Sequence, residues 1–167
     1  MTYRIEPMTA ESAAAIGRWR YPPPYDTYDL EPGDVEHMLV PRYRYHTLWD
    51  GDALIGYCCF GEDARVPGGA YADDALDVGW GMHPGLVGLG RGHGFVGAIT
   101  AFARASYRPR LMRVTIADFN GRSRRVAEHA GFTAERERFQ TKAGERFTVL
   151  VTAPDRDEPV TSERRRP

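Results

Sequence analysis

The stretch that most narrows what this chain can fold into runs from Leu76 to Ile99: Leu-Asp-Val-Gly-Trp-Gly-Met-His-Pro-Gly-Leu-Val-Gly-Leu-Gly-Arg-Gly-His-Gly-Phe-Val-Gly-Ala-Ile. Leu76, Val78, Trp80 and Met82 alternate with Asp77, Gly79 and Gly81, the period of a strand with two unlike faces. Pro84 closes it. Gly88, Gly90 and Gly92 then alternate just before Phe95, Ala98, Ile99 and Phe102 take up helical spacing. The unit reads as strand, glycine-dense loop, helix. Glycine has no Cβ, so successive N–H groups can turn toward one point. At a helix start those donors are unpaired and carry partial positive charge. Such a place suits an anion, above all a phosphate or pyrophosphate. A flexible glycine loop that binds nothing is the plainer alternative.

The flanking chain supplies a sheet for this unit. Tyr3 to Glu6 reads as a first strand, and Thr9 caps a helix through Ala13, Ala14 and Ile16 that ends where Tyr21 meets Pro22. Tyr21-Pro-Pro-Pro-Tyr-Asp-Thr-Tyr-Asp29 cannot start as a helix, and its tyrosines either pack an ordered loop or line a cleft. A short helix is expected over Asp34 to Leu39. Arg44 to Trp49 and Ala53 to Phe60 form a hairpin about Asp50-Gly51. Gly61 to Asp74 connects to the organising strand. Leu111 to Ala117 is a compact apolar strand, Asn120 to Ala130 a helix with Gly131 at its C′ position, and Phe132 to Thr141 with Glu145 to Thr152 a closing hairpin. Strands on both sides of a central βαβ unit give an α+β or mixed α/β sheet. One domain is expected over residues 1–152, and a disordered, Pro- and charge-rich tail over 153–167.

Composition excludes more than it selects. A net charge of −1 gives no support to a nucleic-acid surface or an anionic membrane as partner. No window is apolar enough to span a membrane, and Met1 to Glu6 lacks a signal-peptide core, so a cytoplasmic protein is expected. Cys58 and Cys59 are neighbours on one strand and point to opposite faces, which disfavours a disulfide between them. No metal site is expected: His37, His46, His83, His93 and His129 lack ligand spacing.

Two motifs resemble those of the GCN5-related N-acetyltransferase (GNAT) superfamily. Its acetyl-CoA loop has the form Gln/Arg-x-x-Gly-x-Gly/Ala, which Val87-Gly-Leu-Gly90-Arg-Gly92 matches at both glycines and departs from at Val87. Its second signature, an Asn opening a helix that ends in Gly-Phe, is similar to Asn120-Gly-Arg-Ser123 followed by Val126-Ala-Glu-His-Ala-Gly131-Phe132. In form this looks most like the ribosomal-protein N-terminal acetyltransferase branch, while the tyrosine–proline segment resembles an uncharacterised bacterial subgroup. The resemblance implies a single α/β (α+β) domain whose mixed, mostly antiparallel sheet splays at its middle strands between about four helices. It implies acetyl-CoA as cosubstrate and a primary amine, on a small molecule, peptide or protein, as acceptor. A homodimer is compatible with it.

By that resemblance, the amides of Val87, Gly88, Leu89, Gly90, Arg91 and Gly92 hold a pyrophosphate, with the Arg91 guanidinium adding a charged contact. Pantetheine pairs with the strand edge at Trp80, Gly81 and Met82, where Gly79 and Gly81 leave room. Asn120 holds the pantetheine arm. The tyrosine that many members use as proton donor falls at Ala127, so Ser123 is the candidate donor to sulfur. Asp77 is the candidate base, acting through water, with a solvated or ion-paired carboxylate as its alternative; His83 is a further candidate, with a surface histidine beside Pro84 as its alternative. Tyr25, Tyr28 and Asp29 are expected at the acceptor, favouring a cation beside aromatic rings. Two other readings stand beside this one. A GNAT-shaped module could bind CoA and acetylate nothing. Gly92-His-Gly94-Phe-Val-Gly97 also fits the dinucleotide fingerprint of an oxidoreductase, with Asp118 downstream, although loop residues intervene before its first glycine.

Overall fold

Asp50-Gly51 turns the chain back on itself with Gly51 at φ +58°, as a tight hairpin requires. The computed structural model describes residues 3–154, and this hairpin joins two strands of a seven-stranded sheet. In chain order the elements are β1 (Arg4–Pro7), α1 (Ala10–Ile16), α2 (Pro32–His37), β2 (His46–Asp50), β3 (Ala53–Phe60), β4 (Leu76–Met82), α3 (Gly92–Tyr107), β5 (Met112–Ala117), α4 (Gly121–His129), β6 (Phe132–Gln140) and β7 (Arg146–Thr152). The sheet order is β1-β2-β3-β4-β5-β7-β6. Neighbouring strands are antiparallel except β4 and β5, which run parallel because α3 crosses over between them. The chain thus adopts the α/β class expected of it, a mostly antiparallel sheet with one parallel pair. The expected tail lies, from residue 155 onward, outside the described residues.

Local chemistry sets the helix ends. Thr9 caps α1 by accepting the Ser12 N–H at 3.2 Å. The helix stops at Gly17, short of the Tyr21–Pro22 boundary, and continues only as a tightened turn in which Trp19 N–H donates to the Ile16 carbonyl. α2 starts two residues before Asp34. Pro32 takes a first-turn position, and Glu31 and Asp34 cap it reciprocally.

The sheet carries a core on each face. α3 turns Phe95, Val96, Ile99 and Ala103 onto Leu48, Phe60, Val78 and Met112, and α4 adds Ala127. Full burial of a side chain such as Phe95 stabilises by about 1.5–3 kcal/mol. On the opposite face Ala13, Ile16 and Met38 pack with Trp19, Leu30 and Tyr57. Cys58 and Cys59 are free and buried. Burial pushes both thiols up, Cys59 to about 12. At pH 8 only about one in ten thousand such thiols is ionised. Native protein is therefore expected not to react with an aromatic disulfide reagent, and both cysteines to react after denaturation. A fast-reacting native thiol would contradict this placement.

Candidate functional site

β4 and β5 share register only at Leu76↔Met112 and Asp77↔Arg113. Beyond Asp77 the strands part, while β4 stays paired with β3 out to Met82. Two hydrogen bonds fix which way β4 turns: Gly61 N–H to the Asp77 carbonyl (2.9 Å) and His83 N–H to the Ile55 carbonyl (2.8 Å). Antiparallel alternation then points the backbone groups of Gly79 and Gly81 at β3, and those of Val78, Trp80 and Met82 into the opening. Of the three residues expected to meet pantetheine, Trp80 and Met82 thus offer main-chain groups there, and Gly81 does not. The room above Gly81 holds the Tyr57 ring, which a Cβ would approach to 2.4 Å. Cys59 Sγ occupies the matching place at Gly79. The Met82 carbonyl accepts the Tyr21 hydroxyl at 2.8 Å.

The glycine loop lies at the head of α3. Gly88 and Gly90 stand at φ +85° and +76°, which side chains rarely adopt, and nothing lies within 4 Å of where a Cβ would be. Their outer side is open. The Val87 and Leu89 amides donate weakly to the Pro84 and Leu86 carbonyls (3.3 and 3.4 Å), so these two of the six expected donors turn inward. The N–H groups of Gly88, Gly90, Arg91 and Gly92 have no backbone acceptor among the described residues. The Arg91 guanidinium does not extend toward the loop as expected but pairs with Asp50 at 3.0 Å. Gly92 admits α4: a Cβ there would lie 2.6 Å from Val126 Cγ1.

Across the opening, Asn120 caps α4. Its Oδ1 accepts the Ser123 N–H (3.0 Å), and its Nδ2 donates to the Tyr28 hydroxyl oxygen (3.2 Å). Tyr28 keeps its own proton, for which no acceptor is present among the described residues. The Ser123 hydroxyl, half-buried in the first turn of α4, has no partner among them either. Residues 21–29 therefore bridge the two lips of the opening, Tyr21 on β4 and Tyr28 on α4. Tyr25 and Tyr28 pack on Phe119, with ring centroids 5.8 and 5.9 Å away. Asp29 accepts the Tyr21 N–H at 2.8 Å and lies 3.8 Å from Arg20, so it orders the loop. Beside the bridge Ile16, Trp19, Tyr21, Tyr28, Leu30 and Tyr57 close on one another and leave no room for a water molecule between them. Burial pushes the Tyr21, Tyr28 and Tyr57 phenols up, so they stay neutral. His83 stands edge-on to Trp19 at 5.0 Å and accepts the Gly85 N–H on Nδ1. A neutral imidazole that accepts there carries its proton on Nε2, as a donor.

Asp77 stands away from this constellation, 2% exposed, on the face that the connecting loop covers. Arg113 grips it bidentately, Nε to Oδ1 at 2.6 Å and Nη2 to Oδ2 at 2.8 Å, and Arg65 Nε adds a third bond at 2.8 Å. Both guanidinium groups lie against the Tyr71 ring. Both oxygens are engaged by arginines, the ion-paired arrangement weighed as its alternative. Asp77 fastens β4 to β5 at the point where they part. The signals for the residues not foreseen were modest. Arg113 is the one charge inside an apolar strand and so requires a partner; Tyr21 lies in the flagged tyrosine–proline segment; Tyr57 and Trp19 carried no motif.

Among the described residues no three His, Cys, Asp or Glu gather to hold a metal, and no helix is long and apolar enough to cross a membrane. Gly92, Gly94 and Gly97 all lie inside α3, so the dinucleotide fingerprint, whose first glycine must sit in the turn leaving a strand, is not formed.

No protein-family model matches the sequence, and no curated protein matches it. Solved structures do. A GNAT-family acetyltransferase from Bacillus anthracis superposes with a TM-score of 0.71 at 12% identity over 92% of this chain and 95% of that one. The aminoglycoside acetyltransferase AAC(6')-Ib, in complex with coenzyme A, gives 0.70 at 15% over 91% and 95%. A spermidine N-acetyltransferase chimera built in part from Vibrio cholerae gives 0.69 at 12% over 92% and 96%. At such identities the likeness establishes the GNAT fold.

Proposed function

We propose that the chain is an acetyl-CoA-dependent N-acetyltransferase, with residues 1–152 as its catalytic unit. One observation carries the reading. Four amides with no backbone acceptor among the described residues, at the head of a sixteen-residue helix, lie beside a strand whose Trp80 and Met82 main-chain groups face a gap in the sheet. That arrangement suits a ligand with a diphosphate at one end and an amide-bearing arm at the other. The aminoglycoside acetyltransferase of this fold is complexed with coenzyme A, and in other structures with acetyl-CoA or kanamycin.

Acetyl-CoA supplies a thioester whose carbonyl carbon a neutral amine can attack. The chain's own groups would do the rest. Gly88, Gly90, Arg91 and Gly92 donate to the diphosphate, and Trp80 orients the arm. For Met82 to accept from the arm, the Tyr21 hydroxyl must yield its carbonyl. Tyr28 and Ser123 each hold a proton that can be given to departing sulfur, Tyr28 steadied by Asn120. Catalysis would rest mainly on holding two reactants together. Since Asp77 is locked and His83 presents a donor, the amine must shed its proton to solvent. The sign follows: kcat/KM should climb about tenfold per pH unit up to the acceptor's own pKa, then level off. A plateau set near pH 6 whatever the acceptor would reveal an enzyme base.

Isothermal calorimetry with acetyl-CoA tests the reading; absence of saturable binding at high micromolar concentration ends it. Tyr28→Phe is expected to lower kcat at least about tenfold with the acetyl-CoA Kd unchanged. The absence of a tyrosine at Ala127 and the ion-paired Asp77 favour a second reading, a module that binds CoA without transfer. Binding without thiol release from any amine in a broad panel would select it.

A further inference from the structure

We propose that residues 21–29 are an autoinhibitory strap. The Tyr21 hydroxyl, seated on the Met82 carbonyl, holds the place that an arm amide of acetyl-CoA has to take, and the cofactor binds by evicting it. This rests on the acetyl-transfer reading. Strand alternation leaves Trp80 and Met82 to offer β4 main-chain groups to the far part of the opening. The acceptor at Met82 is already engaged, at 2.8 Å, by a side chain from the segment that bridges the two lips. The free protein therefore satisfies with its own hydroxyl the carbonyl that it would offer to a ligand.

The strap is fastened unevenly, as a latch is. Its far end is broad: Tyr28 accepts Asn120 Nδ2 at 3.2 Å, Tyr25 and Tyr28 both lie on Phe119, and Arg122 lies over Tyr25 at 5.3 Å. At the near end, among the described residues, the Tyr21 hydroxyl alone hydrogen-bonds the strap to β4. The Tyr21 N–H is anchored separately, on Asp29 Oδ1 at 2.8 Å, and three prolines with fixed φ follow it. The phenol can thus leave Met82 by turning about its own side-chain bonds while the main chain stays on Asp29. Burial first, and the Asp29 charge after it, push the Tyr21 phenol up, so the hydroxyl keeps the proton it donates and the latch does not open with pH near neutrality. The sign of its effect follows. A neutral hydrogen bond favours the state that contains it by roughly 2- to 13-fold. The arm displaces that bond before it pairs, so the apparent Kd for acetyl-CoA is raised by a similar factor. A ligand that carries the diphosphate without the arm does not reach Met82 and escapes the effect.

The test compares the parent with Tyr21→Phe, titrating each with acetyl-CoA by calorimetry and with adenosine 5′-diphosphate by displacement of acetyl-CoA. Tyr21→Phe is expected to bind acetyl-CoA about three- to tenfold more tightly and the diphosphate no differently once its own acetyl-CoA Kd is allowed for. Without ligand it should melt about 1–6 °C below the parent, because the free protein has lost a bond. Looser folding together with tighter binding is the signature of a contact that opposes the ligand. A bond that merely supports the site would give looser folding with weaker binding. Acetyl-CoA affinity that is unchanged or reduced in Tyr21→Phe overturns the proposal, and so does an equal tightening for the diphosphate, which would place the effect at the head of α3. The two levels separate cleanly. If parent and variant bind acetyl-CoA equally, the strap alone falls; if neither binds it, the transfer reading falls and the strap with it.

Discussion

Asp77→Ala is expected to cost about 3–5 kcal/mol of stability, roughly 6–20 °C in melting temperature at about 2–4 °C per kcal/mol. The reason is what it leaves behind. Arg113, 2% exposed, loses both hydrogen bonds to the carboxylate and keeps only the Ala72 carbonyl and the partly exposed Asp74. Its charge then keeps as counter-ion only Asp74, 3.4 Å away and shared with Arg136, and desolvation makes that state far worse than a missing contact. Because Asp77 and Arg113 are also register partners at the close of the β4–β5 pair, the loss falls where the opening begins. Two further variants keep the expectation exposed to refutation. Asp77→Leu with Arg113→Met removes both charges and should recover most of the lost stability, since apolar replacements of buried pairs are often neutral or better. Asp77→Asn should lower stability without changing the shape of the pH–rate profile. If Asp77→Ala melts within a degree of the parent while its turnover collapses, the carboxylate is a catalytic base after all, and the ion pair described here is incidental.

The same pair shows what the sequence could and could not disclose. Strand, loop and helix over Leu76–Ile99 were legible because period, proline and glycine are local signals, and so was the Asp50-Gly51 turn. Asp77 opposite Arg113 was not, because their meeting depends on the parallel register of two strands separated by a whole helix. Along β3 the alternation misleads. Ile55 is an extra residue in the pairing with β2, Leu48 facing Gly56 and Trp49 facing Leu54, so the phase changes there. That bulge sets Leu54 and Tyr57 on the same side as Trp19. The loop motif offers the amides of Val87 and Leu89 as ligand donors because it treats the loop as uniform. The short turn over Pro84–Leu86 engages them first. Arg91's place in the motif points its charge at the loop, whereas its pairing with Asp50 joins segments that only the sheet brings together.

The other large effect belongs to Gly90. Gly90→Asp should weaken acetyl-CoA binding about 100-fold or more, some 2.7 kcal/mol. The fold itself should barely register the change. Nothing lies within 4 Å of the new Cβ, and Asp tolerates the φ of +76° better than most residues. The charge is what matters. A carboxylate about 5 Å from one phosphate charge, at an effective dielectric of about 20, is opposed by roughly 3 kcal/mol. Gly90→Asn has nearly the same shape and backbone tolerance without the charge, and should stay within about fivefold of the parent. Raising sodium chloride from about 0.05 M to 0.5 M should narrow the gap between the two variants, because the loop faces solvent and the repulsion is screened. Melting curves of both variants close to the parent's would exclude misfolding as the cause. Equal weakening by Asp and Asn would mean that strain in the loop governs affinity. No weakening by either would mean that the four open amides at the head of α3 hold no diphosphate, and the acetyl-transfer reading would lose the contact on which it was built.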